Sequence, residues 1–249
     1  MSTDHHQSIS VLTAFILAGG RGTRLQPAFD GGPKAMAPVA GRPFLDYLLQ
    51  FLKRAGITRI VLCVGYKHQQ IRESAGDGRH MGLDIRYSLE RSPLGTGGAL
   101  ALAVSRTGVE GTVLAMNGDS LAEVELAGMW RAHGARHAAA TIGLVNVPNA
   151  ARYGRVAIDG KGWVRRFAEK SGDDDRGTIN GGVYLFESDV LKQIPPLKAV
   201  SLECEVLPRL ASCGSLFSFS SPGRGGFIDI GTPEDYLRAE EHLRQLQLC

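Results

Sequence analysis

The sequence predicts an α/β fold in which a mixed, mostly parallel central sheet is flanked by helices, and three observations carry that expectation. Short β-branched and aromatic runs alternate with helix-spaced apolar segments through the first half, and the first run ends directly in Gly19-Gly20. No repeat, low-complexity tract or Pro/Ser-rich linker interrupts the chain. Alternation of this kind implies right-handed crossovers that lay helices over a parallel sheet. The 249 residues, 43% hydrophobic and 21% charged, suffice for a large buried core and lie far from the composition of a disordered chain.

The elements follow in order. Val11–Ala18 is a continuous apolar run, as expected of a strand buried on both faces. Pro43–Ala55 sets Phe44, Leu45, Leu48, Leu49 and Leu52 at helical spacing, opens on a proline that a first turn tolerates and stops at Gly56. Arg59–Val64 is a second strand, Tyr66–Ala75 a weaker helix and Leu83–Ser88 a third strand. Thr96–Val104 is a helix with Thr96 as its N-cap, and Thr112–Met116 is a fourth strand running into Asn117-Gly118-Asp119. After about Gly134 strand-like segments crowd together at Ala138–Val147, Arg155–Ile158, Val164–Ala168, Gly182–Phe186, Leu216–Ser220 and Gly226–Ile230, with helix-like Asp189–Gln193 and Leu202–Ala211 among them. This half is expected to extend the same sheet, giving one domain over 1–249 with a flexible terminus at 1–10 and halves at 11–134 and 135–249. Pro233–Leu248 closes the chain as a surface helix, with Thr232 as cap, Pro233 in the first turn, and Glu234 and Asp235 at the positive end of the dipole.

Composition excludes several functions. Lys plus Arg number 28 and Asp plus Glu 25, a net +3 that gives no charge-based case for nucleic acid. Cys63, Cys204, Cys213 and Cys249 form no CxxC pair and no cluster with histidines, which argues against a zinc site or a disulfide framework and for a reducing cytoplasm. The polar N-terminus lacks the pattern of a signal peptide, and no apolar run reaches the roughly 18 to 20 residues that span a bilayer. Glycine is the outlier at 32 residues, nearly double a background of about 7%.

The strongest local signal is Leu17-Ala18-Gly19-Gly20-Arg21-Gly22-Thr23-Arg24-Leu25, directly after the first strand. Small residues let successive backbone amides close on an anion, and Arg21 and Arg24 add charge that a plain turn does not need. The segment is neither a P-loop nor a dinucleotide fingerprint, which would need glycine where Leu25 stands. Lys34 after Pro33 is, taken alone, an ordinary solvated residue; its case is that it shares the first loop with the two arginines. Asp119 and Asp229 each end a strand, where a carboxylate can reach a metal held by substrate phosphates; separately, either could be a turn residue or helix cap. Pro93-Leu94-Gly95-Thr96-Gly97-Gly98 again sets small residues at a strand-to-helix turn, where a planar base could lie against backbone. Glu169-Lys170 and Asn180-Gly181-Gly182 offer an acid, a cation and an amide suited to hydroxyls and a phosphate.

In this order, LAGGRGTRL, PK, PLGTGGAL, NGD, EK, NGGVY and FIDIGTP resemble the motifs of the sugar-1-phosphate nucleotidyltransferases along nearly the whole chain. Within that family the likeness is to the bacterial D-glycero-α-D-manno-heptose-1-phosphate guanylyltransferases, with the mannose-1-phosphate enzymes next. The resemblance implies a Rossmann-like nucleotidyltransferase fold without the C-terminal β-helix of some members. It implies that residues 11–134 bind the nucleotide, GTP in preference, and that 135–249 bind the sugar 1-phosphate. Leu17, Ala18, Gly19, Gly20, Arg21, Gly22 and Thr23 match the nucleotide loop, Arg24 and Lys34 the charge-stabilising cations, and Asp119 and Asp229 the Mg²⁺ ligands. Asn117 and Gly118 fall beside the nucleotide, and Pro93, Gly95, Thr96 and Gly97 in the base loop. Lys170 matches the sugar-phosphate lysine, with Glu169, Asn180 and Gly181 toward the sugar. Ala35 departs from the proline many members carry there, and residues 26–33 lack the family's Leu-Thr. Glu90 is either an exposed loop acid or an acceptor for guanine N1–H and its exocyclic amine.

Competing expectations are mannose 1-phosphate, N-acetylmuramate 1-phosphate with UTP, and a catalytically silent sugar-nucleotide-binding regulator. Retention of Arg24, Lys34, Asp119, Lys170 and Asp229 argues against silence. An NAD-dependent oxidoreductase is disfavoured by Leu25 and by Cys63-Val64-Gly65-Tyr66, which supplies no acid at the end of the second strand. The implied partners are small molecules, with neither nucleic acid nor membrane, and a homo-oligomer stays open.

Overall fold

The computed structural model of the chain describes residues 8–20, 22, 25, 28, 29, 31–150, 153, 155–167, 176–221 and 226–245. Its first half contains β1 (Thr13–Leu17), β2 (Pro38–Val39), β3 (Arg42–Pro43), α1 (Phe44–Arg54), β4 (Arg59–Val64), α2 (His68–Ala75), β5 (Asp84–Leu89), α3 (Gly95–Thr107), β6 (Thr112–Asn117), β7 (Ser120–Ala122) and α4 (Leu126–Arg136). The second contains β8 (Ala140–Val147), β9 (Val156–Ile158), β10 (Val164–Phe167), β11 (Gly177–Glu187), α5 (Ser188–Lys192), α6 (Leu207–Ser212), β12 (Leu216–Ser220), β13 (Phe227–Asp229) and α7 (Pro233–Gln245). A five-residue π-helical turn, Leu202–Val206, leads into α6.

Seven strands form one sheet in the order β12-β8-β11-β6-β1-β4-β5. β6, β1, β4 and β5 are mutually parallel, β12 is parallel to β8, and β11 is antiparallel to both of its neighbours. The chain leaves β1 outward through β4 and β5 and returns on the other side of β1 as β6, with Leu17 opposite Asn117. Strand order reverses there, and ligands of open α/β sheets bind outside the carboxyl ends at such a reversal. The topology therefore points to the ends of β1 and β6.

Alternate residues of the central strands face opposite layers. On one face Ala14, Ile16, Ile60, Leu62 and Met116 pack with Leu45, Leu48 and Leu52 of α1, Ile71 of α2 and Met129 of α4. On the other, Phe15, Val61, Val113 and Ala115 pack with Leu100 and Val104 of α3, Leu191 of α5 and Leu207 of α6. The continuous apolar runs of β1, β4 and β6 thus answer to burial on both sides.

Three helical elements differ from expectation, and the short strands β2, β3 and β7 are absent from it. Thr96 is the second residue of α3 and not its cap, because its hydroxyl is engaged elsewhere, accepting Leu202 N–H and donating to Glu203. The helix expected over Leu202–Ala211 divides into the π turn and α6, whose second residue is Pro208; proline lacks a helix donor and its ring collides with the carbonyl four residues back. α4 is absent from the sequence reading, since Gly128 and Gly134 interrupt its apolar stripe; it is held by buried Leu126, Met129 and His133, the last bonded to Thr141 Oγ1 at 2.8 Å. At α7, Thr232 caps as expected, accepting Asp235 N–H at 3.3 Å.

Candidate active site

A cavity of about 780 Å³ opens over the carboxyl ends of β1 and β6, within the size range of small-molecule sites. Leu17, Ala18, Gly19, Gly20 and Gly22 reach it from the exit of β1, and Lys34 from a short 3₁₀ turn. Glu90, Pro93, Gly95 and Thr96 come from the β5–α3 connection, Asn117, Gly118 and Asp119 from β6, Asn180 from β11, and Asp229 from β13. Arg21, Thr23, Arg24, Glu169 and Lys170 lie outside the described residues. Gly97 and Gly181 stand off the cavity wall. A Cβ on Gly97 would meet Val200 O at 3.1 Å, and one on Gly181 would meet Ala122 Cβ at 3.0 Å, so their size answers packing.

The acids converge on a cation. Lys34 Nζ donates to Asp119 Oδ2 at 2.6 Å and lies 3.8 Å from Asp229 Oδ1, which also accepts Gly231 N–H at 2.6 Å. Asp119 can stand so close to the end of β1 because Gly118 has no side chain; a Cβ there would lie 2.4 Å from Leu17 O. Burial and the Asp119 charge raise the Asp229 carboxyl above its ordinary value, outweighing Lys34 and the Gly231 amide, which lower it. An acid raised in the fold contributes stability below its unfolded value of 3.8, and that contribution is lost as pH rises through the higher folded value. At neutral pH the ionised carboxylate therefore costs stability. Asp229→Asn keeps the acceptor for Gly231 and is expected to raise the Tm of the metal-free protein near pH 7, with the gain shrinking toward about pH 4. Melts across that range that show no gain, or a gain independent of pH, would contradict the linkage.

Two carboxylates meeting one cation also form a donor set that suits Mg²⁺. That ion takes one or two protein carboxylates and completes its shell with water and substrate phosphates. Among the described residues no cluster of three or more His, Cys, Asp or Glu side chains could cage a metal from protein alone. The residues present fit a metal that arrives with phosphate.

Glu90 is half-buried, not a freely exposed loop acid. Its Oε2 accepts Leu94 N–H at 3.0 Å, and its Oε1 occupies space that a Cβ on Gly19 or Gly65 would enter, at 2.7 and 2.8 Å. Burial raises its carboxyl, and the Leu94 amide offsets part of that. Beside it, Gly95 has φ +67° and a Cβ there would lie 2.5 Å from Val200 O, a position open only to glycine. Gly97 and Gly98 N–H both donate to Val200 O, at 2.9 and 3.2 Å, so these first-turn amides of α3 are spent on protein main chain.

Several wall residues escape a reading of the sequence. Cys63 lines the cavity as a neutral thiol, pushed up to about 12 chiefly by burial. Tyr153 and Phe227 meet edge to face at 5.3 Å on the wall. Tyr184 lies fully buried behind Asn180; its hydroxyl accepts Asn180 Nδ2–H at 2.8 Å, while Asn180 Oδ1 accepts Gly182 N–H at 2.9 Å, which fixes the amide at both ends. Burial, then the Glu203 charge, push the Tyr184 phenol up, so it stays protonated. Glu203 lines the cavity from the π turn. Ser201-Leu202-Glu203-Cys204-Glu205 carries two acids of equal standing, and nothing in their spacing separates the one at the cavity from the one at the helix start.

A sheet reversal between β1 and β6, a glycine-lined strand exit and a carboxylate pair around a lysine define the candidate site. The chain belongs to the nucleotidyl transferase family, whose model matches residues 13–245. It is 38% identical to the mannose-1-phosphate guanylyltransferase of Mycobacterium tuberculosis over 92% of this chain, spanning 64% of that protein's length. It is 37% identical to the D-glycero-alpha-D-manno-heptose 1-phosphate guanylyltransferase of Aneurinibacillus thermoaerophilus over 94% of this chain and 99% of that one. In three dimensions it is similar to HddC from Yersinia pseudotuberculosis complexed with GMP-PN, with TM-score 0.81, 32% identity, and coverage of 92% of this chain and 98% of that one.

Proposed function

We propose that the cavity transfers the guanylyl group of GTP to D-glycero-α-D-manno-heptose 1-phosphate, yielding GDP-heptose and pyrophosphate. The observation that carries this reading is the meeting of Lys34, Asp119 and Asp229 at the mouth of a glycine-lined phosphate loop. The nucleotide bound to the HddC structure supports guanine, and near-complete coverage of the heptose relative supports the sugar. A second reading, mannose 1-phosphate, is favoured by the identity to the mycobacterial relative. The cytoplasm, where nucleoside triphosphates are made and consumed, is the proposed compartment; no helix among the described residues is long and apolar enough to cross a membrane.

The sugar 1-phosphate brings its own oxyanion, so its attack on the α-phosphorus of GTP needs no strong general base. The new O–P bond forms as the bond to pyrophosphate breaks. The obstacle is bringing two polyanions into line, and the protein's contribution is positioning and opposite charge. Amides of Gly19, Gly20 and Gly22, with Arg21, Thr23, Arg24 and Lys34, hold the triphosphate. Asp119 and Asp229 would hold Mg²⁺, which when bound offsets phosphate charge as a Lewis acid. Lys170, Glu169 and Asn180 receive the sugar phosphate. The Asn117 Oδ1, buried without a hydrogen-bond partner among the described residues, favours a ligand that donates there.

The test is a grid of nucleoside triphosphates against sugar 1-phosphates with Mg²⁺, read by pyrophosphate release. GTP with the heptose phosphate is expected to be fastest, and a chain that turns over no pair is not this enzyme. On the same grid Glu90→Gln is expected to cut the GTP-over-UTP preference by about tenfold or more, the scale of one charge-assisted hydrogen bond of about 1.5–3 kcal/mol. An unchanged preference removes Glu90 from base recognition.

A further inference from the structure

β11 departs from a regular strand between Asn180 and Tyr184, where its pairing with β8 shifts register. Gly182, at φ +73°, makes the bend; a Cβ there would lie 2.8 Å from Ser120 Oγ and 2.9 Å from Asn117 Nδ2. Irregularities of this kind re-aim side chains and are common beside active sites. Here three side chains are brought together. Tyr184 pairs with Ala115 of β6, so Asn117, two residues on, shares the face of the Tyr184 ring and lies within reach of a long side chain. Asn180 Nδ2–H donates to the Tyr184 hydroxyl at 2.8 Å, and the Asn117 amide reaches the same hydroxyl from β6. Both amides favour the ionised phenol, as hydrogen-bond donors do.

Asn117 and Asn180 both line the cavity, whereas Tyr184 is fully buried behind them. Asn180 Oδ1 is held by Gly182 N–H at 2.9 Å, and Asn117 Oδ1 is buried with no hydrogen-bond partner among the described residues. Asn117 ends β6 opposite Leu17, at the exit of β1, which is the nucleotide side of the proposed reaction. Asn180 stands on the sugar side. One phenol oxygen therefore carries an amide from each. We propose that Tyr184 is a positioning residue whose hydroxyl sets the Asn117 amide at the nucleotide and the Asn180 amide at the sugar 1-phosphate, and so fixes one substrate relative to the other. This rests on the guanylyltransferase reading above. The new O–P bond forms only when the attacking oxygen lies in line with the α-phosphorus, so a shared anchor acts on alignment more than on affinity for either substrate.

Tyr184→Phe keeps the ring and removes the shared oxygen. Its kcat should fall about tenfold or more, with KM for GTP and for the sugar 1-phosphate each within about threefold of wild type. Asn180→Ala and Asn117→Ala should each cost less in the Tyr184→Phe background than in wild type, by about threefold or more, because the anchor they depend on is already gone. A merely structural tyrosine would lower Tm, leave kcat unchanged well below Tm and give losses that multiply independently. Either of the last two results overturns the assignment, as does a loss confined to the KM values. Should Tyr184→Phe not fold, the Asn117→Ala and Asn180→Ala pair decides by itself: two amides on one anchor lose less together than the product of their single losses, and independent losses overturn the proposal. Wild-type protein that turns over no pair of nucleoside triphosphate and sugar 1-phosphate overturns the guanylyltransferase reading and this inference with it; normal wild-type turnover with an indifferent Tyr184→Phe overturns the inference alone.

Discussion

Asp119→Ala is expected to lower kcat by about a hundredfold or more, the scale observed when one preorganised electrostatic group is removed from an active site. Asp119 accepts Lys34 Nζ at 2.6 Å, and its charge helps to raise the Asp229 carboxyl. Alanine therefore does three things at once. It removes one of the two carboxylates that meet at Lys34, it frees Lys34 from its 2.6 Å partner, and it relieves Asp229 of a like charge. The last two effects do not restore a metal ligand, so turnover should stay low at saturating Mg²⁺. Because Asp119 is partly exposed, with a side chain 40% accessible, folding should be little affected. Steady-state rates over a Mg²⁺ titration check this, and near-wild-type turnover at saturation would withdraw the metal assignment for both aspartates.

What the sequence makes legible follows from how local each signal is. β1 and β4 are continuous apolar runs and α1 is a strong stripe, so each declares itself within a dozen residues. Asp229-Ile230-Gly231-Thr232-Pro233 is likewise local, pairing a strand end with a helix cap. Glu90 was only half legible: its burial depends on Gly19 and Gly65, which leave the ends of two other strands and carry no mark of facing a carboxylate. The glycines of Pro93–Gly98 suit a base loop by type, yet Gly97 and Gly98 turn out to serve the main chain of Val200, about a hundred residues away, whose arrival no local pattern announces. Glu203 is the extreme case. Its hydrogen-bond partner Thr96 comes from α3, about a hundred residues earlier, and only the tertiary fold brings the two together. α4 fails for the opposite reason, since its tertiary burial overrides a weak local pattern.

Gly118→Ala is expected to lose both stability and activity, and Gly20→Ala to separate the two causes. A Cβ at 118 would lie 2.4 Å from Leu17 O, 3.0 Å from Leu17 C and 3.3 Å from Ala18 Cα, all main chain at the exit of β1, where no flexible side chain can give way. The exits of β6 and β1 must part, although Gly118 N–H now donates to Leu17 O at 3.0 Å. Overpacking of this kind costs about 1–3 kcal/mol, which for a domain of this size lowers Tm by about 3–10 °C. The same movement carries Asp119 away from Lys34 and Asp229 and shifts the nucleotide loop, and a misplacement of about 1 Å can cost on the order of a hundredfold in rate. At Gly20, by contrast, an added Cβ meets no atom within 4 Å, so Gly20→Ala should leave stability within about 0.5 kcal/mol of wild type. Thermal melts of the two variants, with kcat measured well below either Tm, decide the point. If Gly118→Ala melts with wild type and turns over normally, the close approach of β6 to β1 is not what sets Asp119 in place.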